Sequence, residues 1–399
     1  MKILYITQYF FPEIGATTNR ALANVRYLAN KMHDVTVLTE LPNHPKGVFF
    51  KGYKHKISMK EKMENFIINR VWVFTSRKKN FITRILFYIS FMFMGFLNAM
   101  LQWKNYDLIY ISSPPLFVAG IGLMLKAFHP KVRIVFEVRD LWPKSAIDLG
   151  ELNNKRAIKL AEKLENAIYT KSDLIVGLTE GIKDYVSKKF PDKTICIPNG
   201  VDLTLYNKVS ERDRRFKVCY TGTMGLIHSV DTIIEAAKIL RNEDIEFQFI
   251  GDGAKKNDMI ALSEEYDLDK VKFIESVPIE KIQYYLSKAS IGISTTKKFE
   301  LCKGTIPVKI FGYMACELPV IISGWGESVD IIDKAGCGLC VDVENSEQLA
   351  EKILYLKNNS EELASMGKSG REFVEKYYNR EKQAEQIEFE INKIVGYNK

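Results

Sequence analysis

The sequence predicts an α/β protein built from two doubly wound domains that face a cleft. Short β-branched runs alternate with helix-length amphipathic segments along nearly the whole chain, the pattern of parallel sheets covered by helices. The alternation breaks at IPNGVD (197–202), where Pro, Asn and Gly interrupt regular structure, and then restarts. At 399 residues the chain is long for a single core, while 46% hydrophobic and 27% charged residues are those of a folded protein. Two Rossmann-like domains follow, residues 1–200 and 201–375, with a charged helical tail (376–399) that crosses back onto the first.

In the first domain the expected strands are KILYIT (2–7), VTVLT (35–39), VWVFT (71–75), DLIYIS (107–112), RIVFEV (133–138), LIVGLT (174–179) and TICIPN (194–199). Helical segments follow most of them, as at 17–31 and 154–170. The second domain repeats the pattern with KVCYTG (217–222), IEFQFIG (245–251), VKFIES (271–276), IGISTT (291–296), PVIIS (319–323) and GLCVD (338–342).

Charge is divided unevenly between the halves. Residues 1–200 carry 30 Lys and Arg against 16 Asp and Glu, whereas residues 201–399 carry 27 against 33. The densest basic stretch, 46–104, holds 12 basic residues and two acidic ones, Glu61 and Glu64. This points the first domain at an anionic surface, with a solvated basic face as the plainer reading. Nucleic acid is not expected, because no recognisable nucleic-acid module is present.

Within that stretch FITRILFYISFMFMGFLNAMLQW (81–103) is long enough to span a bilayer and follows Arg77, Lys78 and Lys79. Three readings stand: a buried core helix, an interfacial helix, and a span weakened by Arg84, Asn98 and Gln102. The six cysteines all lie beyond residue 195 without a disulfide framework, as in a reducing cytoplasm. The lone CxxC of Cys337 and Cys340 lacks a second ligand pair and reads as strand packing. MKILYITQYF enters a strand directly, so no signal peptide is expected.

Open α/β sheets bind ligands beyond the carboxyl ends of their strands, and four such places carry chemistry. In QYFFPEIGATTNR (8–20) Gly15 precedes a helix, so backbone N–H groups can approach an anion; an ordinary βα loop is the alternative. In EVRDLWP (137–143) Asp140 can accept a proton or hold a sugar hydroxyl and Arg139 can hold a phosphate, unless the two form a structural cap. YTGTMG (220–225) is a Gly-rich turn without GxGxxG or Walker spacing. In TTKKFELCKGTIPVKIFGYMACELPV (295–320) Lys297, Lys298, Lys303 and Lys309 surround a helix start marked by Pro307, a site for a diphosphate or a solvated lysine cluster. The DxD at Asp267–Asp269 sits in a polar segment before a strand and reads as a surface turn.

Taken together, YFFPEIGATTNR, LPNHPKGVFFKGY, SSPP (112–115), RDLWPKSAIDLG, IPNGVD, GTMGLIHSVDTIIEAA and PVKIFGYMACELPVI resemble glycosyltransferase family 4, retaining enzymes of the GT-B fold. The likeness covers essentially the whole chain, and the branch it most resembles is the bacterial capsule and O-antigen group that includes N-acetyl-L-fucosamine transferases. The resemblance implies that Gly15 lines the reaction centre and Asp140 lies beside the transferring sugar. It puts Gly222 and Thr223 near the donor phosphates, Ser276 and Val277 at the base, and Thr305, Ile306, Pro307, Val308 and Lys309 around the diphosphate. Two departures stand out. Gly304 and Gly312 occupy positions where the family usually carries a pair of glutamates, and the usual phosphate-binding Arg and Lys are missing from GTMGLIHS.

The function expected is transfer of a sugar, such as an N-acetylated (deoxy)hexosamine, from a UDP-sugar to a polyprenyl-diphosphate-linked saccharide. The enzyme is expected in the cytoplasm, peripheral at the inner membrane face. No cofactor and no divalent metal are expected, since no carboxylate pair accompanies the phosphate site. A nucleotide-sugar epimerase of the same fold and a donor-binding inactive partner protein are the alternatives.

Overall fold

The computed structural model describes residues 1–78, 80–206, 215–299 and 303–396. Lys79 of the basic stretch, residues 300–302 of the lysine-rich segment and residues 397–399 of the tail lie outside the described residues. The chain divides into two compact units, Met1–Pro198 with the segment from Glu381 onward, and Asn199–Arg380. The division therefore falls at Pro198, and the returning segment starts at 381 rather than 376. The reason is local: helix Ser360–Tyr377 buries Val374 in the core of the second unit, so only the following helix is free to join the first.

The first unit holds eight strands: β1 Lys2–Thr7, β2 Asp34–Glu40, β3 Ser58–Met63, β4 Phe66–Val71, β5 Leu108–Ser113, β6 Arg133–Val138, β7 Leu174–Gly177 and β8 Thr194–Cys196. Their order is β3-β4-β2-β1-β5-β6-β7-β8, parallel except for the β3–β4 hairpin. The strand expected at 71–75 is instead β4, five residues earlier. Val73 is buried there as extended chain beyond the last ladder pair, which makes VWVFT look like a strand. β3, SMKEKM, is a charged edge strand whose sequence lacks the apolar alternation that would reveal it.

Side chains leave the central strands alternately to two cores, as a pleated strand covered on both faces requires. Ile3, Tyr5, Val35 and Val37 meet Val25 and Leu28 of helix Ala16–Asn30 and Ile387 and Ile391 of helix Arg380–Val395. Leu4, Ile6, Ile109, Ile111 and Phe136 meet Phe91, Ile121 and Ile168 on the opposite face.

The apolar run forms helix Phe81–Leu101, capped by Asn80, whose side chain accepts the Thr83 N–H. Phe91, Gly95, Asn98 and Ala99 are buried, and Gly95 leaves space for Ile121 and Leu38 to come close. The opposite face is exposed: Ile82, Leu86, Phe93, Leu97 and Leu101 form one stripe at helical spacing. By length and composition this helix could cross a membrane. Its flanking strands β4 and β5 belong to one sheet, however, and it packs as a layer of that sheet's cover. It is a half-buried helix with an apolar outer face.

The second unit is a six-stranded, wholly parallel sheet: β9 Phe216–Thr221, β10 Ile245–Ile250, β11 Val271–Ile274, β12 Ile291–Thr295, β13 Val320–Ser323 and β14 Gly338–Val341. The order is β11-β10-β9-β12-β13-β14. Helices Val230–Ile239 and Ser346–Asn358 cover one face, and Lys309–Ala315 and Ser360–Tyr377 the other. Cys337 is buried and Cys340 half-buried beside β14, both free; burial pushes both thiols up to about 12, so they pack as small neutral groups.

The docking of the C-terminal helix is testable. Ile391→Ala removes a fully buried side chain and is expected to lower stability by about 2–4 kcal/mol in urea unfolding, with the native spectrum retained. A change within error would mean that this helix is not part of the first unit's core.

Candidate functional site

In a doubly wound sheet ligands collect where the strand order reverses, beyond the carboxyl ends. In the first unit that point lies between β1 and β5. Next to it, Glu137 near the end of β6 is fully buried. Its carboxylate accepts from Arg20 Nε (2.9 Å), Tyr110 Oη (2.6 Å) and Ser112 Oγ (2.7 Å). Burial alone would raise its pKa, but Arg20, Arg139 and the two hydroxyls outweigh it and hold the group below the usual carboxylate range. Arg20 also donates to the carbonyls of Pro198 (2.7 Å) and Ile197 (3.0 Å).

Arg139 turns toward this cluster. Its Nε and Nη1 are sealed from solvent without a hydrogen-bond partner among the described residues, and burial lowers its pKa against the pull of Glu137. Asp140 lies at the start of the short helix Lys144–Asp148, where Ser145 Oγ donates to its Oδ2 at 3.0 Å. Burial raises its pKa against the Ser145 hydroxyl and the Leu141 amide, and it remains an acceptor at the sheet's ligand edge. Gly15 opens helix Ala16–Asn30 without a side-chain cap, and a Cβ there would meet nothing within 4 Å. No side chain caps or crowds this helix start.

Sequence reasoning missed two further buried carboxylates. Glu13 Oε1 accepts the N–H groups of Asn43 (2.8 Å) and His44 (2.7 Å), fixing the loop after β2. Glu40 accepts from Gln8 Nε2 (2.8 Å) and Asn43 Nδ2 (2.7 Å). Burial pushes Glu13 up to about 7, and burial with the neighbouring Glu13 pushes Glu40 well above the usual carboxylate range. A carboxylate closing an otherwise apolar strand, as in VTVLTE and RIVFEV, was the available signal.

In the second unit the order reverses between β9 and β12, and the two strands part there after pairing only Ile291 with Val218 and Gly292 with Cys219. Tyr313 fills the gap. Its ring lies where a Cβ on Gly292 would be, and its hydroxyl accepts the Thr221 N–H (2.8 Å) and donates to the Ile293 carbonyl (3.2 Å). Lys309 stands one helical turn earlier on the same face. Its ammonium lies 3.5 Å over the Tyr220 ring and 3.7 Å from where a Cβ on Gly222 would be. Gly222 adopts φ 113, and a Cβ on Gly251 would lie 2.0 Å from its carbonyl, so the turn after β9 needs glycine at both positions.

The Lys309 ammonium is buried without a hydrogen-bond partner among the described residues, and burial lowers its pKa to about 7. His228, also missed from the sequence, stands beside it. Burial and then the Lys309 charge push its pKa down to about 4; one ring nitrogen bonds the Thr295 backbone and Nδ1 has no partner among the described residues. The Thr295 hydroxyl is likewise buried and unpartnered among them. A cation, an acceptor nitrogen and a hydroxyl thus converge without internal partners, whereas buried polar groups ordinarily find them. The arrangement suits a polar, anionic ligand.

Lys297 is half-buried, its backbone N–H bonded to the Ile227 carbonyl. Lys298 and Lys303 are exposed, with the Lys303 ammonium 5.7 Å over the Trp325 ring. The free helix N–H groups expected near residue 309 are partly used, since Ile310 and Phe311 donate to the carbonyls of Pro307 and Val308. Thr305 is exposed, Pro307 is buried, and Ile306 and Val308 pack on the core. Gly222, Thr223, Ser276 and Val277 lie on loops at the carboxyl ends of β9 and β11. A Cβ on Gly312 would touch Tyr206 Oη at 3.4 Å, an ordinary van der Waals contact; beside Gly304 the space is open. Asp267 and Asp269 precede β11, at the opposite edge of the sheet from these loops.

Two Rossmann-like domains with ligand loops at their strand ends define the GT-B class of fold. Residues 18–205 match Glycosyltransferase Family 4 and residues 204–373 match Glycosyl transferases group 1. An uncharacterized glycosyltransferase of Methanocaldococcus jannaschii is 29% identical over 209 residues, 52% of this chain and 56% of that one. The putative colanic acid biosynthesis glycosyl transferase WcaI of Escherichia coli is 22% identical across 99% of this chain and 100% of its own. The chain thus spans little more than half the first relative and all of the second. Among solved structures, sucrose-phosphate synthase from Thermosynechococcus elongatus has a TM-score of 0.76 at 19% identity, over 100% of both chains. Anabaena HepE in complex with UDP-glucose has a TM-score of 0.70 at 14% identity, over 98% of this chain and 100% of its own. Both share the fold.

Lys309 gives the ligand-free protein a pH signature. Its folded pKa lies below the unfolded value, so between about 7 and 10.5 the unfolded chain binds more protons and stability rises with pH. That component is expected to vanish in Lys309→Met when chemical unfolding is compared at several pH values. Identical slopes would place the ammonium in water.

Proposed function

We propose that this protein is a retaining glycosyltransferase that moves an N-acetylated (deoxy)hexosamine, such as N-acetyl-L-fucosamine, from a UDP-sugar to a polyprenyl-diphosphate-linked saccharide in capsule or O-antigen synthesis. The observation that carries this reading is the buried, unpartnered cluster at the β9–β12 switch point, with the Lys309 ammonium at its centre. An ammonium in a dry hollow attracts an anion more strongly than one in water. A diphosphate leaving group gains most from such fixed charge as the bond to the sugar breaks. The neutral His228 Nδ1 accepts a ligand hydroxyl, and Asp140 takes a hydroxyl of the transferring sugar. UDP as the nucleotide follows the UDP-glucose complex of Anabaena HepE, and the polysaccharide setting follows the name of the Escherichia coli relative. The sugar and the lipid-linked acceptor follow the sequence resemblance.

The first unit supplies a reason for a membrane-borne acceptor. Its outer apolar stripe on helix Phe81–Leu101 adjoins exposed Lys46, Lys51, Lys54, Arg77 and Lys78. Arg70, by contrast, is buried against Glu61 at 2.7 Å and contributes nothing to that face. Apolar area beside positive charge is the arrangement of an interfacial helix on an anionic bilayer at the inner membrane face. Co-sedimentation should therefore require anionic vesicles and weaken with salt. Equal recovery on neutral and anionic vesicles would contradict this.

Purified protein incubated with UDP-sugars is expected to release UDP only when lipid-linked acceptor is present. Interconversion of free nucleotide sugars would point to an epimerase, and binding without turnover to an inactive partner. Asp140→Asn and Lys309→Ala should each lower turnover by about tenfold or more while melting normally. EDTA should leave the rate unchanged. Near-normal rates in both folded variants would remove these residues from the reaction.

A further inference from the structure

The first unit contains a cavity of about 150 Å³ under the opening turns of helix Phe81–Leu101, walled in part by Tyr9, His44, Lys78, Arg84, Phe87 and Tyr88. None of these residues belongs to the Glu137–Asp140 cluster or to the Lys309 site, although Lys78 is also part of the basic face. The wall is a file of rings in contact: Tyr9 lies 4.9 Å from His44 and 6.3 Å from Phe87, and Phe87 lies 5.5 Å from Tyr88. Tyr88 stacks on Phe117 at 5.8 Å, and Phe117 reaches Trp142 at 5.9 Å. The file therefore ends two residues beyond Asp140.

The cavity is preset rather than soft. Glu13 fixes the wall at Asn43 and His44 through their N–H groups, and Glu151 holds the Arg84 guanidinium by two hydrogen bonds of 3.2 and 2.8 Å. Lys78 is exposed at the lining. Rings with polar neighbours offer faces to the C–H side of a sugar and hydrogen bonds to its hydroxyls, and the two cations offer charge to a phosphate.

The location adds the third part of the ligand. The helix that roofs the cavity exposes Ile82, Leu86, Phe93, Leu97 and Leu101 on its other side. The loop bearing Lys46 packs against the one bearing Arg77, since a Cβ on Gly47 would lie 2.2 Å from the Ser76 carbonyl oxygen. Both basic loops therefore meet at the start of this helix. Apolar stripe, positive rim and aromatic cavity share one end of one unit.

We propose that this cavity takes the phosphorylated sugar at the head of an amphiphilic acceptor, with Phe87 and Tyr88 against the ring and Lys78 and Arg84 on the phosphate. This rests on the reading of the chain as a transferase to a lipid-linked acceptor, and it names the residues that select that acceptor.

The water-soluble probe is N-acetylglucosamine 1-phosphate, titrated by calorimetry against wild type, Arg84→Gln and Tyr88→Ala, with UDP titrated in parallel. The sugar phosphate is expected to bind about tenfold more weakly to each variant, with UDP affinity and melting temperature unchanged. Arg84→Gln guards against a folding artefact in Tyr88→Ala, because the Arg84 guanidinium is bonded only to the partly exposed Glu151. Equal affinity in wild type and Arg84→Gln overturns the proposal, as does inorganic phosphate binding as well as the sugar phosphate. Vesicles carrying a polyprenyl-diphosphate-linked N-acetylglucosamine should compete with the probe. Phosphatidylglycerol vesicles competing equally would mean a generic lipid headgroup and also overturn it. Failure of every lipid-linked acceptor to release UDP, with probe binding still lost in the variants, would uphold the cavity and sink the transferase reading.

Discussion

The first unit is organised around one buried carboxylate. Glu137 has no access to water, and an unpaired charge in that position would be strongly destabilising. It is tolerated because Arg20, Tyr110 and Ser112 supply its hydrogen bonds from helix Ala16–Asn30 and strand β5. Arg20 uses its remaining donors on the carbonyls of Ile197 and Pro198, where the chain leaves the unit. One ion pair thus sets the position of the first helix relative to β5 and β6, and with it the loops bearing Gly15 and Asp140. The charge of Arg139 also helps to keep this carboxylate ionised.

The second unit handles charge in the opposite way. Lys309 is buried at the switch point with an aromatic face beneath it and, among the described residues, no carboxylate bonded to its ammonium. Tyr313 makes this possible by bridging the parted strands one turn away, so the helix cannot swing the lysine out to solvent. A cation held in this way is destabilising in the empty protein and becomes favourable once an anion arrives. Groups left under local stress by an otherwise satisfied fold tend to mark functional sites.

Much of this was legible in the sequence because it depends on periodicity. The parallel strands, the two-unit division and the loops at their carboxyl ends follow from alternation and from breakers such as IPNGVD. β3 escaped because SMKEKM is a polar edge strand, and β4 was displaced because burial continues past the ladder at Val73. At the site, Asp140, Gly15 and Lys309 were visible as residue types placed after strands or at a helix start. Glu13, Glu40, Glu137 and His228 were not, since their roles depend on partners distant in sequence, such as Arg20 for Glu137 and Asn43 for both Glu13 and Glu40. Spacing also made four lysines look like one cluster, whereas Lys298 and Lys303 are exposed and Lys309 turns inward over the Tyr220 ring.

The central claim is that the Lys309 ammonium receives the donor's diphosphate. The most direct test is calorimetric titration of UDP at about pH 8 in buffers of different ionisation enthalpy, for wild type and Lys309→Met. In the empty protein this lysine is largely neutral at that pH, and an anion beside it restores the charge. Binding should therefore take up most of one proton in wild type and none in the variant, which should also bind UDP about tenfold more weakly or worse. Binding without proton uptake in wild type, or with equal uptake in both proteins, would contradict the account.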